Sequence, residues 1–261
     1  MKLHLEVLLS VLRDERLAEI LKIVEKDNII KVSDITRKLN VTEMTARRDL
    51  NILEKKGIVE RIYGGAIKKK NNLFRELSHN EKKSIHVEEK KYIANLAAQM
   101  ISENDIIYIG EGTTNEFIYD YLSISYAKII TNSISIFSKF RDDKRFELIL
   151  IGGRFRAHTN ILVGNFTNEF LSKIRVDIAF VGTNGICDDS ITTSNEEEGA
   201  CQKIILDNSK EKYILCDNNK FGKEDFYSFY KLKDITAIIT DNNIKPDVKK
   251  KYERFTRIIN S

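Results

Sequence analysis

The stretch Val41-Thr42-Glu43-Met44-Thr45-Ala46-Arg47-Arg48-Asp49-Leu50-Asn51-Ile52-Leu53 constrains this chain more than any other. Thr42 is a helix N-cap, and Ala46, Leu50 and Leu53 recur on one helical face, so a helix from Thr42 to about Lys56, stopped by Gly57, is predicted. Upstream, Leu17, Ile20, Leu21 and Val24 mark an amphipathic helix over residues 13–26. Ile29–Val32 is a short apolar bridge, and Ser33 caps a brief helix through Leu39, with Asn40 as a left-handed turn residue. Downstream, Ile58–Tyr63 alternates as a strand does, and Gly64-Gly65 forms a hairpin tip before Ala66-Ile67.

Two short helices joined by a tight turn and followed by a hairpin form a winged helix-turn-helix. The face of helix 42–56 turned from the core carries Thr42, Glu43, Thr45, Arg47 and Arg48, groups that reach base edges or phosphates in a major groove. Ser33, together with Arg61, Tyr63, Gly64 and Gly65 on the wing, completes the expected DNA-binding set. The competing reading makes Arg47 and Arg48 a solvated face, one of them paired with Asp49 or Glu54. Charge alone favours the second reading, and the constellation of turn, cap, paired arginines, helix-ending glycine and Gly-Gly wing favours the first. Residues 1–70 hold 16 Lys and Arg against 11 Asp and Glu, leaving 27 against 28 for the remainder.

Lys68-Lys69-Lys70-Asn71-Asn72 breaks the chain, so the expected division is a DNA-binding domain over 13–67, a linker over 68–80 and a second domain over 81–261. Residues 81–102 read as helix. Beyond them Ile106–Ile109, Lys128–Ile130, Leu148–Ile151, Ile178–Val181, Tyr213–Cys216 and Ala237–Ile239 read as buried strands alternating with helices. The fold class is α/β, with a mostly parallel sheet.

In such sheets ligands bind beyond the carboxyl ends of the strands. There the chain places Glu111, Gly112, Thr113 and Thr114; Thr131 and Asn132; Gly152, Gly153, Arg154 and Arg156; Asn184; Thr193 and Glu197; and Lys220. Glycine, hydroxyl and cationic groups at successive strand ends suit a phosphorylated, hydroxyl-rich ligand. Glu196–Glu198 reads more readily as a solvated first helical turn than as a ligand site, and Arg154 and Arg156 read equally as surface or subunit-contact residues.

Thr45-Ala46-Arg47-Arg48-Asp49-Leu50, Leu53, Gly57 and Ile62-Tyr63-Gly64-Gly65-Ala66 resemble the signature of the DeoR family of bacterial transcription regulators. Gly112-Thr113-Thr114, Thr131-Asn132, Gly152-Gly153, Val163-Gly164, Thr192-Thr193 and Lys220-Phe221-Gly222 are similar to its sensor half. The resemblance implies a sensor folded like ribose-5-phosphate isomerase and the CoA transferases, controlling a DNA-binding repressor of a sugar-utilisation operon. The chain departs from the family pattern with Gly110 and Asn184 where aspartates are usual. Gly110 and the stretch 222–229 look closer to the branch tied to lactose phosphotransferase systems, which implies tagatose 6-phosphate as effector.

The expected partners are therefore double-stranded operator DNA, a phosphorylated sugar and a second copy or more of the chain, in a homodimer or homotetramer. The alternative is a sugar-phosphate isomerase carrying a DNA-binding domain, but that chemistry needs a carboxylate base and Asn184 is an amide. No enzymatic activity, metal or cofactor is expected, since His4, His79, His86 and His158 have no ligand spacing. Cys187, Cys201 and Cys216 read as reduced thiols. The apolar run near the N-terminus is too short to span a bilayer, so a cytoplasmic location is expected.

Overall fold

The structure, a computed structural model, describes residues 16–24, 26–55, 58–68 and 76–261, and the chain divides into two compact units between residues 73 and 74. In the first unit, residues 16–24 and 26–27 are helical (α1), followed by β1 (Ile29–Lys31), α2 (Val32–Leu39), α3 (Glu43–Lys55), β2 (Val59–Ile62) and β3 (Gly65–Lys68). Leu17, Ile20 and Val24 from α1, Val32 and Ile35 from α2, and Ala46, Leu50 and Leu53 from α3 close one core over Ile30, Val59 and Ala66. The apolar bridge Ile29–Val32 is used as a strand. β1 pairs antiparallel with β3, and β3 with β2, so the wing is anchored to the helices by a third strand.

Several local expectations shift. Lys31, not Ser33, is the N-cap of α2, and Ser33 is an exposed residue of its first turn. Asn40 is left-handed as expected, at φ 50°. The hairpin turns at Tyr63-Gly64, with Gly64 at φ 79°, and Gly65 is already in β3. The expected helix start at Arg13, the helix stop at Gly57 and the basic stretch 69–72 lie outside the described residues.

The second unit is built on a parallel seven-stranded sheet. Its strands are β4 (Ile106–Ile109), β5 (Ala127–Thr131), β6 (Phe146–Leu150), β9 (Val176–Gly182), β12 (Ser209–Leu215), β14 (Ala237–Ile239) and β15 (Arg257–Ile259), in the order β15-β14-β12-β9-β4-β5-β6. Alternate residues feed two cores. Tyr108, Ala179, Val181 and Ile214 point to one face, and Ile107, Ile109, Phe180 and Leu215 to the other. This is why the strands read as continuous apolar runs.

Helices α4 (His79–Lys83), α5 (Val87–Ala98), α6 (Ile134–Phe140), α7 (Asn165–Lys173), α8 (Glu196–Asp207) and α9 (Pro246–Tyr252) accompany the sheet. Two smaller antiparallel sheets are added: β7 (Arg154–Arg156) with β8 (Ile161–Val163), and β11 (Ser190–Thr193) between β10 (Gly185–Cys187) and β13 (Tyr227–Lys231).

The helix expected over 81–102 is two helices. His86, at φ 53°, breaks it, and Ser78 opens α4 with a reciprocal capping box to Glu81, inside the stretch expected to be linker. The chain runs outward from β4 to β5 and β6 on one side and from β9 to β12 and β14 on the other. The strand order therefore reverses between β4 and β9, and that reversal opens a crevice at their carboxyl ends.

Candidate functional site

On α3 the buried side is Ala46, Asp49, Leu50 and Leu53. Asp49 is held by Arg16 of α1, Nε to Oδ2 at 2.5 Å and Nη2 to Oδ1 at 3.0 Å, and Glu54 accepts the Arg61 backbone N–H at 3.0 Å. Neither acid pairs with Arg47 or Arg48. The start of the helix is set by Thr42, whose Oγ1 accepts the Thr45 N–H at 3.3 Å. Arg47 is exposed and pairs with Glu43 one turn back at 3.4 Å, while Arg48 is exposed without an ion pair among the described residues.

The wing residues divide by role. Tyr63 and Gly64 stand at the exposed tip. Arg61 turns inward: Nε donates to the Gly65 carbonyl at 3.1 Å, and Nη1 to the Arg47 carbonyl at 3.2 Å and to Asn51 Oδ1 at 2.6 Å. It braces wing against helix, where the sequence reading made it a DNA contact. Gly65 is buried, and a Cβ there would lie 2.2 Å from the Ile30 carbonyl oxygen, so its role is close backbone approach to β1.

In the second unit, the crevice between β4 and β9 deepens into a cavity of about 210 Å³. Of the residues expected to hold a ligand, Glu111, Gly112, Thr113, Thr114, Asn184, Thr193 and Lys220 line it. Thr131, Asn132, Gly152, Gly153, Arg154, Arg156 and Glu197 do not, because β5 and β6 end away from the reversal. Their polar groups serve the fold. Thr131 Oγ1 accepts the Ser133 N–H at 3.0 Å, and Asn132 accepts from Tyr108 and donates to the Leu162 carbonyl. Thr167 Oγ1 donates to the Gly152 carbonyl at 2.8 Å, and Gly153 packs where a side chain would strike that hydroxyl. Arg154 pairs with Glu197 on the surface, and Arg156 joins Glu76 to Glu198 from behind the cavity wall.

Apart from Lys220, the sequence reading missed the cavity's basic residues. Lys82, His86 and Lys90 come from the α4–α5 corner and Lys223 from the loop after β12. Lys90 is 5% exposed, and its ammonium donates to the Lys82 carbonyl. Burial draws it down to about 8, and desolvation draws Lys220 down too.

Glu111 and Glu198, also in the lining, are buried, and burial pushes both carboxyls above the usual range, with Glu198 adding to the effect on Glu111. Gln202 Nε2 donates to Glu111 Oε1 at 2.5 Å, while Gln202 Oε1, buried, has no partner among the described residues. Asn184 is fixed by Lys82 at 3.0 Å, Asp225 at 2.9 Å and Ser194. Lysines, carboxyls and amides that line one space suit one ligand carrying both an anionic group and hydroxyls. Among the described residues no group of His, Cys, Asp and Glu is arranged to hold a metal, and no helix is long and apolar enough to cross a membrane.

Comparison with known proteins gives two family matches, a DeoR-like helix-turn-helix domain over residues 16–72 and a DeoR C terminal sensor domain over residues 85–242. The lactose phosphotransferase system repressor of Streptococcus mutans is 40% identical over 95% of this chain and 99% of its own length. That of Staphylococcus epidermidis is 38% identical, covering 94% of this chain and 98% of its own. Among solved structures, ribose 5-phosphate isomerase A of Methanocaldococcus jannaschii matches at 19% identity and a TM-score of 0.36. That match spans 51% of this chain and 54% of the isomerase.

Proposed function

Since this chain belongs to the DeoR family of transcription regulators, we propose that it is a repressor of a sugar-utilisation operon whose hold on DNA is set by a phosphorylated sugar in the β4–β9 cavity. The observation that carries this reading is the cavity's polarity: Lys82, Lys90, Lys220 and Lys223 line the same space as Glu111, Glu198 and Gln202. The lysines meet the phosphate. The carboxyl and amide groups meet the sugar hydroxyls, and Gln202 Oε1 gains the donor it lacks.

The relatives' names point the reading to lactose utilisation, and tagatose 6-phosphate is the ligand we expect. The ligand favours one arrangement of the protein over another and, by reciprocity, weakens operator binding. Two copies of the chain read paired half-sites in the cytoplasm, through Thr42, Glu43, Thr45, Arg47 and Arg48 of α3 with Ser33, Tyr63 and Gly64 at its flanks.

The test pairs two measurements on purified protein, thermal shift with phosphorylated sugars and binding to DNA lying upstream of neighbouring sugar genes. We expect tagatose 6-phosphate at a hundred times its Kd to stabilise the protein by about 2.7 kcal/mol and to release DNA. Salt-insensitive, sequence-indifferent DNA binding would defeat the proposal.

A second reading, sugar-phosphate isomerisation, draws on one observation, the two carboxyls Glu111 and Glu198 within the cavity. Against it, Asn184 is locked in hydrogen bonds and cannot take a proton, and Glu111 is held towards its protonated form. Turnover of hexose phosphates that disappears in Glu111→Gln would favour the enzyme.

A further inference from the structure

The exposed centre of the recognition helix is not the arginine pair but Met44. At 100° per residue, the buried residues Ala46, Asp49, Leu50 and Leu53 define one side of α3, and Met44, Arg48, Asn51 and Lys55 fall opposite them. Arg47 lies to the flank, drawn towards Glu43. Asn51 is engaged by Arg61. That leaves Met44, 81% exposed in the first turn of the helix, as the large apolar group beside Arg48.

N-terminal residues of a recognition helix face base edges in the major groove, and on those edges the one apolar substituent is the thymine C5-methyl group. An unbranched thioether adapts its shape to such a methyl and loses its own exposed surface in doing so. We propose that Met44 is a specificity-determining residue that reads a thymine methyl in each operator half-site, next to the base or phosphate held by Arg48. This rests on the DNA-binding reading above and adds to it a chemical feature of the operator.

The experiment uses the full chain. A preferred DNA site is selected from a random-sequence pool, and each thymine of its half-site is then replaced in turn by uracil, which removes only the methyl group. One position is expected at which the replacement weakens wild-type binding about fourfold, the worth of one buried methyl-sized group, while Met44→Ala shows no difference between the two bases there. Because Met44 is solvent-exposed, Met44→Ala should melt with the wild type, and Met44→Gln provides a second variant of similar length.

A selected site with no methyl-sensitive thymine, or a methyl effect that persists undiminished in Met44→Ala, overturns the assignment while leaving operator binding intact. Failure of the wild-type protein to enrich any sequence overturns operator binding itself, and the Met44 assignment with it.

Discussion

Replacing Lys90 by methionine keeps the length of the side chain and removes its charge, which makes the phosphate-binding role of the lysine cluster measurable. The amine is drawn down to about 8 from the ordinary 10.5, because burial and the neighbouring Lys220 and Lys82 outweigh the attraction of Asp217 and Glu116. Between those two values the unfolded chain keeps a proton that the folded protein has released. The protein's stability therefore rises with pH across that window.

Ligand affinity runs the other way. A bound phosphate raises the amine's pKa, so affinity is level up to about pH 8 and then declines, by about 30-fold at about pH 9.5. Below about pH 6 the phosphate itself takes up a proton and affinity falls again. At neutral pH, Lys90→Met should bind about 10- to 100-fold more weakly, the worth of one charge-assisted hydrogen bond. Lys220, shifted in the same direction by desolvation, contributes a slope of its own. The diagnostic is thus the loss of about one proton from the pH dependence. Calorimetric titration of tagatose 6-phosphate into both proteins, across buffers, supplies the profile. An unchanged alkaline slope in Lys90→Met would refute the placement of the anion.

Three further outcomes are expected. Arg61→Ala should lower the unfolding free energy by about 1–2 kcal/mol and leave the salt dependence of DNA binding unchanged, whereas removal of a phosphate contact would reduce that slope by about 1; anisotropy titrations at several salt concentrations decide. Gly65→Ala drives a Cβ towards the Ile30 carbonyl and should cost about 1–3 kcal/mol, seen as early loss of hydrogen-exchange protection in β1 and β3. Arg156→Met strips the countercharge from Glu76 and Glu198 and should cost about 3–5 kcal/mol in urea unfolding. That deficit should shrink as pH falls and Glu198, already raised by burial, is neutralised.

The winged helix-turn-helix was legible because its elements are local: a Thr42 cap, an Asn40 turn and a Gly64 tip each act within a few residues. Strands β4 and β14 matched their expected limits, and the expected β5 and β9 runs lay within longer strands, because burial on both faces makes apolar runs. The runs expected for β6 and β12 each extended one residue past the strand, to Ile151 and Cys216. β15 and the two small antiparallel sheets were missed, since strands such as Arg154–Arg156 carry no apolar run.

The cavity was half legible. Strand-end loops could be found in the chain, but which of them converge depends on strand order, and a parallel sheet's order is written in no single segment. Lys82 and Lys90 escaped notice because lysines in a charged helix read as solvated surface; only the left-handed His86 turns that corner over the crevice. Met44 carried a usable signal, an apolar residue on the polar side of a helical wheel.

Leu77, His79, Lys82, Ile85 and His86 all line the cavity, and all belong to the stretch by which the chain enters the second unit. Going back from Lys82 along the peptide, the joint with the first unit is reached before any strand of the sheet. On the function proposed above, a sugar phosphate held by Lys82 would touch the segment that leads back to the first unit, whereas the β4 and β9 walls belong to the sheet. Arg156 clasps both Glu76 of that segment and Glu198 on the cavity wall. Lengthening the peptide just before Glu76 by a few glycines keeps Leu77 and the other wall residues in place, and is expected to leave sugar binding intact while weakening its effect on DNA binding.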